Sequence, residues 1–178
     1  VFIFVLIATH LLWPMYIEGR LEAGGEIYAI TKISYAIGAL LAGVFVNKLF
    51  KRRTSVYTIL FLMGIALISF ITLIFTKNIA LLLFFALGLG ISNAGIRIMR
   101  ITYLFNHIPN NIIGRANSVF QSINILLRSI FIGLFSLAFF DEGDHVIYTF
   151  AIAALAIFIS LFPLGIHYKK LISLERTT

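Results

Sequence analysis

Residues 43–54 read G-V-F-V-N-K-L-F-K-R-R-T, a cluster of four cations (Lys48, Lys51, Arg52 and Arg53) between two long apolar runs. The run before it, 26–47, carries Lys32 as its one interior charge, and the run after it, 54–75, carries none. Each run is 22 residues long. At about 1.5 Å per residue, either would cross a hydrocarbon core roughly 30 Å thick. The cations therefore mark a short turn between two membrane-spanning helices, and short turns rich in Lys and Arg stay cytoplasmic. This turn sets the expected topology of the whole chain.

Composition agrees with that reading. Hydrophobic residues make up 61% of the chain, charged residues 12%, and the mean hydropathy is +1.04. A soluble domain of 178 residues has no use for so much apolar surface, whereas a membrane bundle does. The net charge of +7 does not point to nucleic acid, because the cations fall in turns between apolar runs. With no cysteine, disulfides and thiolate-held metals are excluded. The opening Val-Phe-Ile-Phe has neither a Met nor a charged leader, so the first span is expected to be cut and the chain to be a fragment.

Outward from the basic turn, six spans are expected: 1–17, 26–47, 54–75, 79–101, 116–140 and 146–168. The links are an acidic glycine-bearing turn at 18–25, a tight turn at 76–78, a longer loop at 102–115 and an acidic turn at 141–144. A polar tail, 169–178, follows. Ten of the 14 cations then lie inside: Lys48, Lys51, Arg52, Arg53, Arg97, Arg100, Arg115, Lys169, Lys170 and Arg176. Arg20 and Lys77 fall outside, and Lys32 and Arg128 within spans. Glu18, Glu22, Glu26, Asp141, Glu142 and Asp144 gather on the outer side. Both ends of the chain are expected in the cytoplasm.

Two loops carry a resemblance. Gly43, Lys48, Lys51 and Arg52 match the cytoplasmic loop G-x-x-x-D-[RK]-x-G-[RK]-[RK] of the major facilitator superfamily (MFS) of transporters. Asn47 stands where that loop has aspartate, and Phe50 where it has a second glycine. In the family the aspartate makes the charged contacts that hold the inward side shut, so the loop resembles the degenerate second copy. Pro109, Gly114 and Arg115 match P-x-x-x-x-G-R-x, which often joins the fourth and fifth helices of a facilitator half. Pro109 is expected to end the preceding helix, Gly114 to permit a tight turn, and Arg115 to anchor at the inner phosphates.

The resemblance implies an all-α membrane protein whose six transmembrane helices form the C-terminal half of an MFS transporter. Its inverted three-helix repeats would be 1–75 and 79–168, with 169–178 as a cytoplasmic tail. It further implies secondary active transport of a small organic molecule by alternating access, as proton-coupled efflux across a bacterial inner membrane. The expected partners are the lipid bilayer, a missing N-terminal six-helix half, the substrate and protons, without nucleic acid. The alternative is a six-helix channel or an accessory membrane subunit that oligomerises.

Site candidates are the polar residues that lipid would otherwise exclude. On the fifth span Asn117, Gln121, Asn124 and Arg128 recur at spacings of 4, 3 and 4, within an arc of roughly 60°. Arg128 is expected about 18 Å from either surface, in need of an anion, carbonyls or water. Asn117 reads equally as a helix start or as interhelical glue. On the second span Tyr28, Lys32 and Tyr35 share a face that Thr31 adjoins, with Lys32 either lining a cavity or snorkelling outward. Asn93 is a cavity candidate on the fourth span. Gly88, Gly90 and Gly95 read there as packing positions, and Arg97 and Arg100 as interfacial anchors.

On the first span His10 is either a proton carrier or a packing residue, and Pro14 is expected to kink the helix and free a carbonyl. His107, His145 and His167 fall at or near turns, without metal-ligand spacing. No glycine-rich phosphate loop, carboxylate pair or nucleophile elbow is present, so neither an enzyme nor a cofactor or metal site is expected.

Overall fold

The computed structural model describes residues 2–50, 54–137, 140 and 145–168. Lys51, Arg52 and Arg53 of the basic turn, the acids Asp141, Glu142 and Asp144, the tail cations Lys169, Lys170 and Arg176, and the side chain of Asn47 lie outside the described residues.

The described residues are all-helical, with no strand among them. Helix α1 runs through Phe2–Ile7, continues as a π-helical stretch Ala8–Leu12, and ends as Trp13–Gly19. Then come α2 (Gly25–Leu49), α3 (Ser55–Phe75), α4 (Ile79–His107), α5 (Asn110–Phe135) and α6 (Val146–Ile166). Among the described residues, five helices are long and apolar enough to cross a membrane, and α1 supplies a shorter apolar helix, Ile3–Gly19. Lipid offers no partner for backbone polar groups, so apolar runs of this length satisfy themselves as helices.

Local chemistry sets the helix ends. Thr54 Oγ1 accepts from the backbone N–H of Tyr57 at 3.3 Å and caps α3. Asn78 Oδ1 accepts from Ala80 and Leu81 N–H groups at 2.8 and 3.3 Å and caps α4. Asn78→Ala should therefore lower stability by about 1 kcal/mol. Thr54→Ala, with its single longer bond, should cost less, as read from reversible unfolding in mixed detergent.

The expected loop at 102–115 is not a loop. Helix α4 continues to His107, and α5 starts again at Asn110. Only Ile108 and Pro109 interrupt them, both with extended ψ, and Pro109 is the N-cap of α5. Proline disfavours helical geometry in the residue before it yet suits the start of a helix, so one residue stops α4 and begins α5. Gly114 and Arg115 consequently lie within α5, and Gly114 makes no tight turn. At its other end α5 stops at Phe135, with Ser136 as C-cap, short of the expected 140.

Packing is uneven along the bundle. Next to the acidic turn of residues 18–25, α1 packs against α2, α4, α5 and α6, and Leu12, Trp13, Tyr16, Leu82 and Phe150 are fully buried in one core with Phe70 and Leu73 of α3. Tyr16 sets its ring edge-on to Phe150 at 5.4 Å and donates its hydroxyl to the carbonyl of Thr76, tying α1 to the link between α3 and α4. Toward the basic turn the buried core shrinks to Ala42, Val46, Leu62 and Met99.

Helices α2 and α4 form the closest pair. A Cβ at Gly38 would strike the carbonyl of Leu87, and one at Gly90 the carbonyl of Tyr35. The hydroxyl of Ser34 donates to the carbonyl of Leu83 at 2.6 Å. Contacts advance along both helices in the same sense, from Ser34–Leu83 through Gly38–Leu87 to Val46–Gly95, so the pair is parallel. Helix α5 is the opposite case, with only 11% of its best apolar window buried.

Candidate functional site

Three helices bring their charged and titratable groups to one level. Lys32 lies seven residues into α2, Arg128 seven residues before the end of α5, and His10 nine before the end of α1. Each is therefore about 10–14 Å from the helix end beside the acidic turns. His10 is solvent-accessible and within electrostatic range of both Lys32 and Arg128. Arg128 is thus about 10 Å from the end of α5, since that helix ends at Phe135, five residues before the end of the apolar run. It is half-buried, with no hydrogen bond or ion pair to another described residue.

The Lys32 ammonium sits over the Tyr28 ring at 5.2 Å, a cation–π contact that accounts for its place on this face. Tyr28 in turn donates its hydroxyl to the carbonyl of Thr9 at 3.1 Å. Thr9 belongs to the π-helical stretch, and Pro14 follows directly in the next α-helical segment. A proline nitrogen cannot donate to the turn before it, so carbonyls there are released to other donors. The freed carbonyl expected of Pro14 is placed here, in the π stretch, with Tyr28 as a donor from the neighbouring helix.

Deeper along α2, Tyr35 accepts from the Asn93 carboxamide at 2.7 Å, while Trp13 meets the Tyr35 ring edge-on at 5.9 Å. Asn93 Oδ1 and the indole N–H of Trp13 are buried without a partner among the described residues. Thr31 is also fully buried, but its hydroxyl bonds back to the Ile27 carbonyl at 2.7 Å and is spent within its own helix. Of the fourth-span glycines, Gly90 faces backbone, Gly95 faces the Leu62 side chain, and Gly88 has only ordinary contact with Ser69.

The α5 stripe divides. Asn117 and Gln121 are exposed, and Asn124 is 7% exposed. Asn124 faces a cavity of about 450 Å³, lined also by Ile3 of α1, Ile59 and Met63 of α3, and Ile96 and Arg100 of α4. Phe120, Ile123 and Leu127 of α5 and Leu164 of α6 complete it. Most of these lie in the parts of the helices toward the basic turn, while Asn124 is near the middle of α5 and Leu127 next to Arg128.

Arg100, expected as an interfacial anchor, lies in the half of α4 nearer its C-terminal end. Because α4 runs on to His107, Arg100 is seven residues, about 10 Å, inside the helix end, and Arg97 ten residues. Its guanidinium lies over the Phe120 ring at 3.8 Å, and its Nη1 is buried without a partner among the described residues. The sequence does hold a signal for it. Asn93, Arg97 and Arg100 follow spacings of 4 and 3, the same polar arc as on α5.

The loop residues stand apart from both places. Lys48 is exposed near the end of α2, Gly43 has open space beside it, and Arg115 is exposed in the second turn of α5. No family model matches this chain, and no curated protein or solved structure matches it. On its own geometry the chain is all-helical among the described residues, with five helices there long and apolar enough to cross a membrane.

Proposed function

We propose that this chain is one half of a secondary transporter of the major facilitator type, moving a small organic anion by alternating access. One observation carries the reading. His10, Lys32 and Arg128 converge from three helices at one depth, while no Asp or Glu lies deeper in any helix than Glu18 and Glu26 at their ends. Cations held inside a membrane need an opposite charge or water. Here the counter-charge has to come from a ligand or from another polypeptide segment.

The uneven packing supports the alternating part of the proposal. A well-filled end beside the acidic turns and a thinly packed end beside the basic turn are what an inward-facing half would present. The orientation follows from the positive-inside rule, with a bacterial inner membrane as the setting. Proton-coupled efflux remains part of the proposal. His10, beside Lys32 and Arg128, is the imidazole of this layer and the proton carrier the proposal names.

The test is counterflow in proteoliposomes holding the chain together with its N-terminal six-helix half. Vesicles preloaded with an unlabelled organic anion should accumulate the labelled one transiently, and vesicles with this chain alone should not. Saturable uptake by the chain alone would overturn the half-transporter reading. An ohmic anion current without counterflow would establish the channel alternative.

A further inference from the structure

We infer that the cavity around Arg100 is a binding site for an amphipathic carboxylate, with the anionic group on the guanidinium and its apolar body along α5. Unlike the outer layer of cations, this cavity takes both of its polar groups, Arg100 and Asn124, and a continuous apolar wall from the present chain. Its volume, about 450 Å³, is that of a small-molecule site. Its wall is apolar except at two places, Arg100 and Asn124. That is the composition of a site that buries a hydrophobic body and orients it with a few polar groups.

Arg100 supplies the recognition. One face of the guanidinium is covered by Phe120 at 3.8 Å, which leaves its edge for hydrogen bonding. Nη1 is buried and unpartnered among the described residues. A buried cationic donor left unpaired is costly, and a carboxylate relieves that cost with two parallel N–H···O bonds. Asn124, with no hydrogen bond to another described residue, can donate a third from α5. A second cavity of about 180 Å³ shares Ile59, Arg100 and Leu164, so the guanidinium sits where the two spaces meet. A neutral lipid chain would fill the volume but leave Nη1 unsatisfied, and a small hydrophilic anion would leave the apolar wall bare.

Such a ligand can arrive from the bilayer as a fatty acid or from the aqueous phase as an aromatic acid. Binding to the purified chain in neutral-lipid nanodiscs separates the sources, using radiolabelled decanoate as one probe and naphthoate as the other. Saturable binding of either probe is expected, and the one that binds identifies the source. Decanol or naphthalene-methanol should compete about tenfold or more weakly than the matching acid. Arg100→Gln should remove that preference, Arg100→Lys should keep part of it, and Arg115→Gln, at an exposed cation apart from the cavity, should leave it unchanged. Equal competition by the alcohol on the unmodified protein overturns the inference, whatever the variants do. So does an acid preference that survives Arg100→Gln. Because the readout is binding to this chain alone, it succeeds or fails independently of the transport reading.

Discussion

Gly38→Ala and Gly90→Ala are expected to destabilise the bundle more than any other small substitution at a glycine. At each position the new methyl group would meet a backbone carbonyl, that of Leu87 or that of Tyr35. A flexible side chain could turn aside, but a carbonyl moves only with its helix. The pair α2–α4 must then separate, at a cost of about 1–3 kcal/mol for each substitution. Separation would also lengthen the bonds from Ser34 to Leu83 and from Asn93 to Tyr35, now 2.6 and 2.7 Å. In membranes, close approach at small residues is a main source of helix association, so little compensates for its loss. The natural control is Gly64→Ala, where a Cβ meets open space. There the change should be neutral or stabilising by up to about 1 kcal/mol, since alanine favours the helix. Unfolding in mixed detergent followed by circular dichroism would rank the three. Equal stability of Gly38→Ala, Gly90→Ala and Gly64→Ala would show that the helices do not approach as described.

The largest expected functional effect belongs to the outer cations. With the partner half present, Arg128→Gln should reduce anion transport by roughly tenfold to hundredfold, the loss of one charge-assisted contact. Lys32→Gln combined with it should reduce transport to background. Neither change should impair insertion, because each removes a charge that is costly to hold in lipid. Arg128→Lys separates two kinds of partner. A carboxylate gripped by both arms of the guanidinium would notice the loss of its planar fork, whereas a diffuse positive potential would not. Normal transport by the double variant would exclude this layer from the anion path. Failure of Arg128→Gln to fold would assign Arg128 a structural role.

Much of the architecture was legible in the sequence, because the bilayer imposes a length that apolar runs must meet. Runs 26–47 and 54–75 became α2 and α3 with ends shifted by only a few residues. The shared face of Tyr28 and Lys32 was readable as well, since helical periodicity alone places residues four apart on one side. The link at 102–115 misled for a local reason. Asn110, Asn111 and Gly114 read as loop formers, yet after Pro109 they open a helix. Shifting that boundary changed how far Arg97 and Arg100 lie from the end of α4, and the distance for Arg128 changed at the other end of α5.

What the sequence by itself determined, then, was which segments are helices of membrane length and which residues share an azimuth on each. Only the tertiary structure decided what each azimuth faces. In a soluble bundle the apolar stripe points to the core, so pattern predicts packing. In lipid every side of a helix is apolar, and hydrophobic periodicity no longer marks the buried one. Nothing along the chain distinguishes Gly38, which admits the α4 backbone, from Gly43 and Gly64, which face open space. Likewise, Arg97 and Arg100 are three residues apart on one helix. Only the arrival of Phe120 and Asn124 from α5 makes Arg100, and not Arg97, part of a cavity wall.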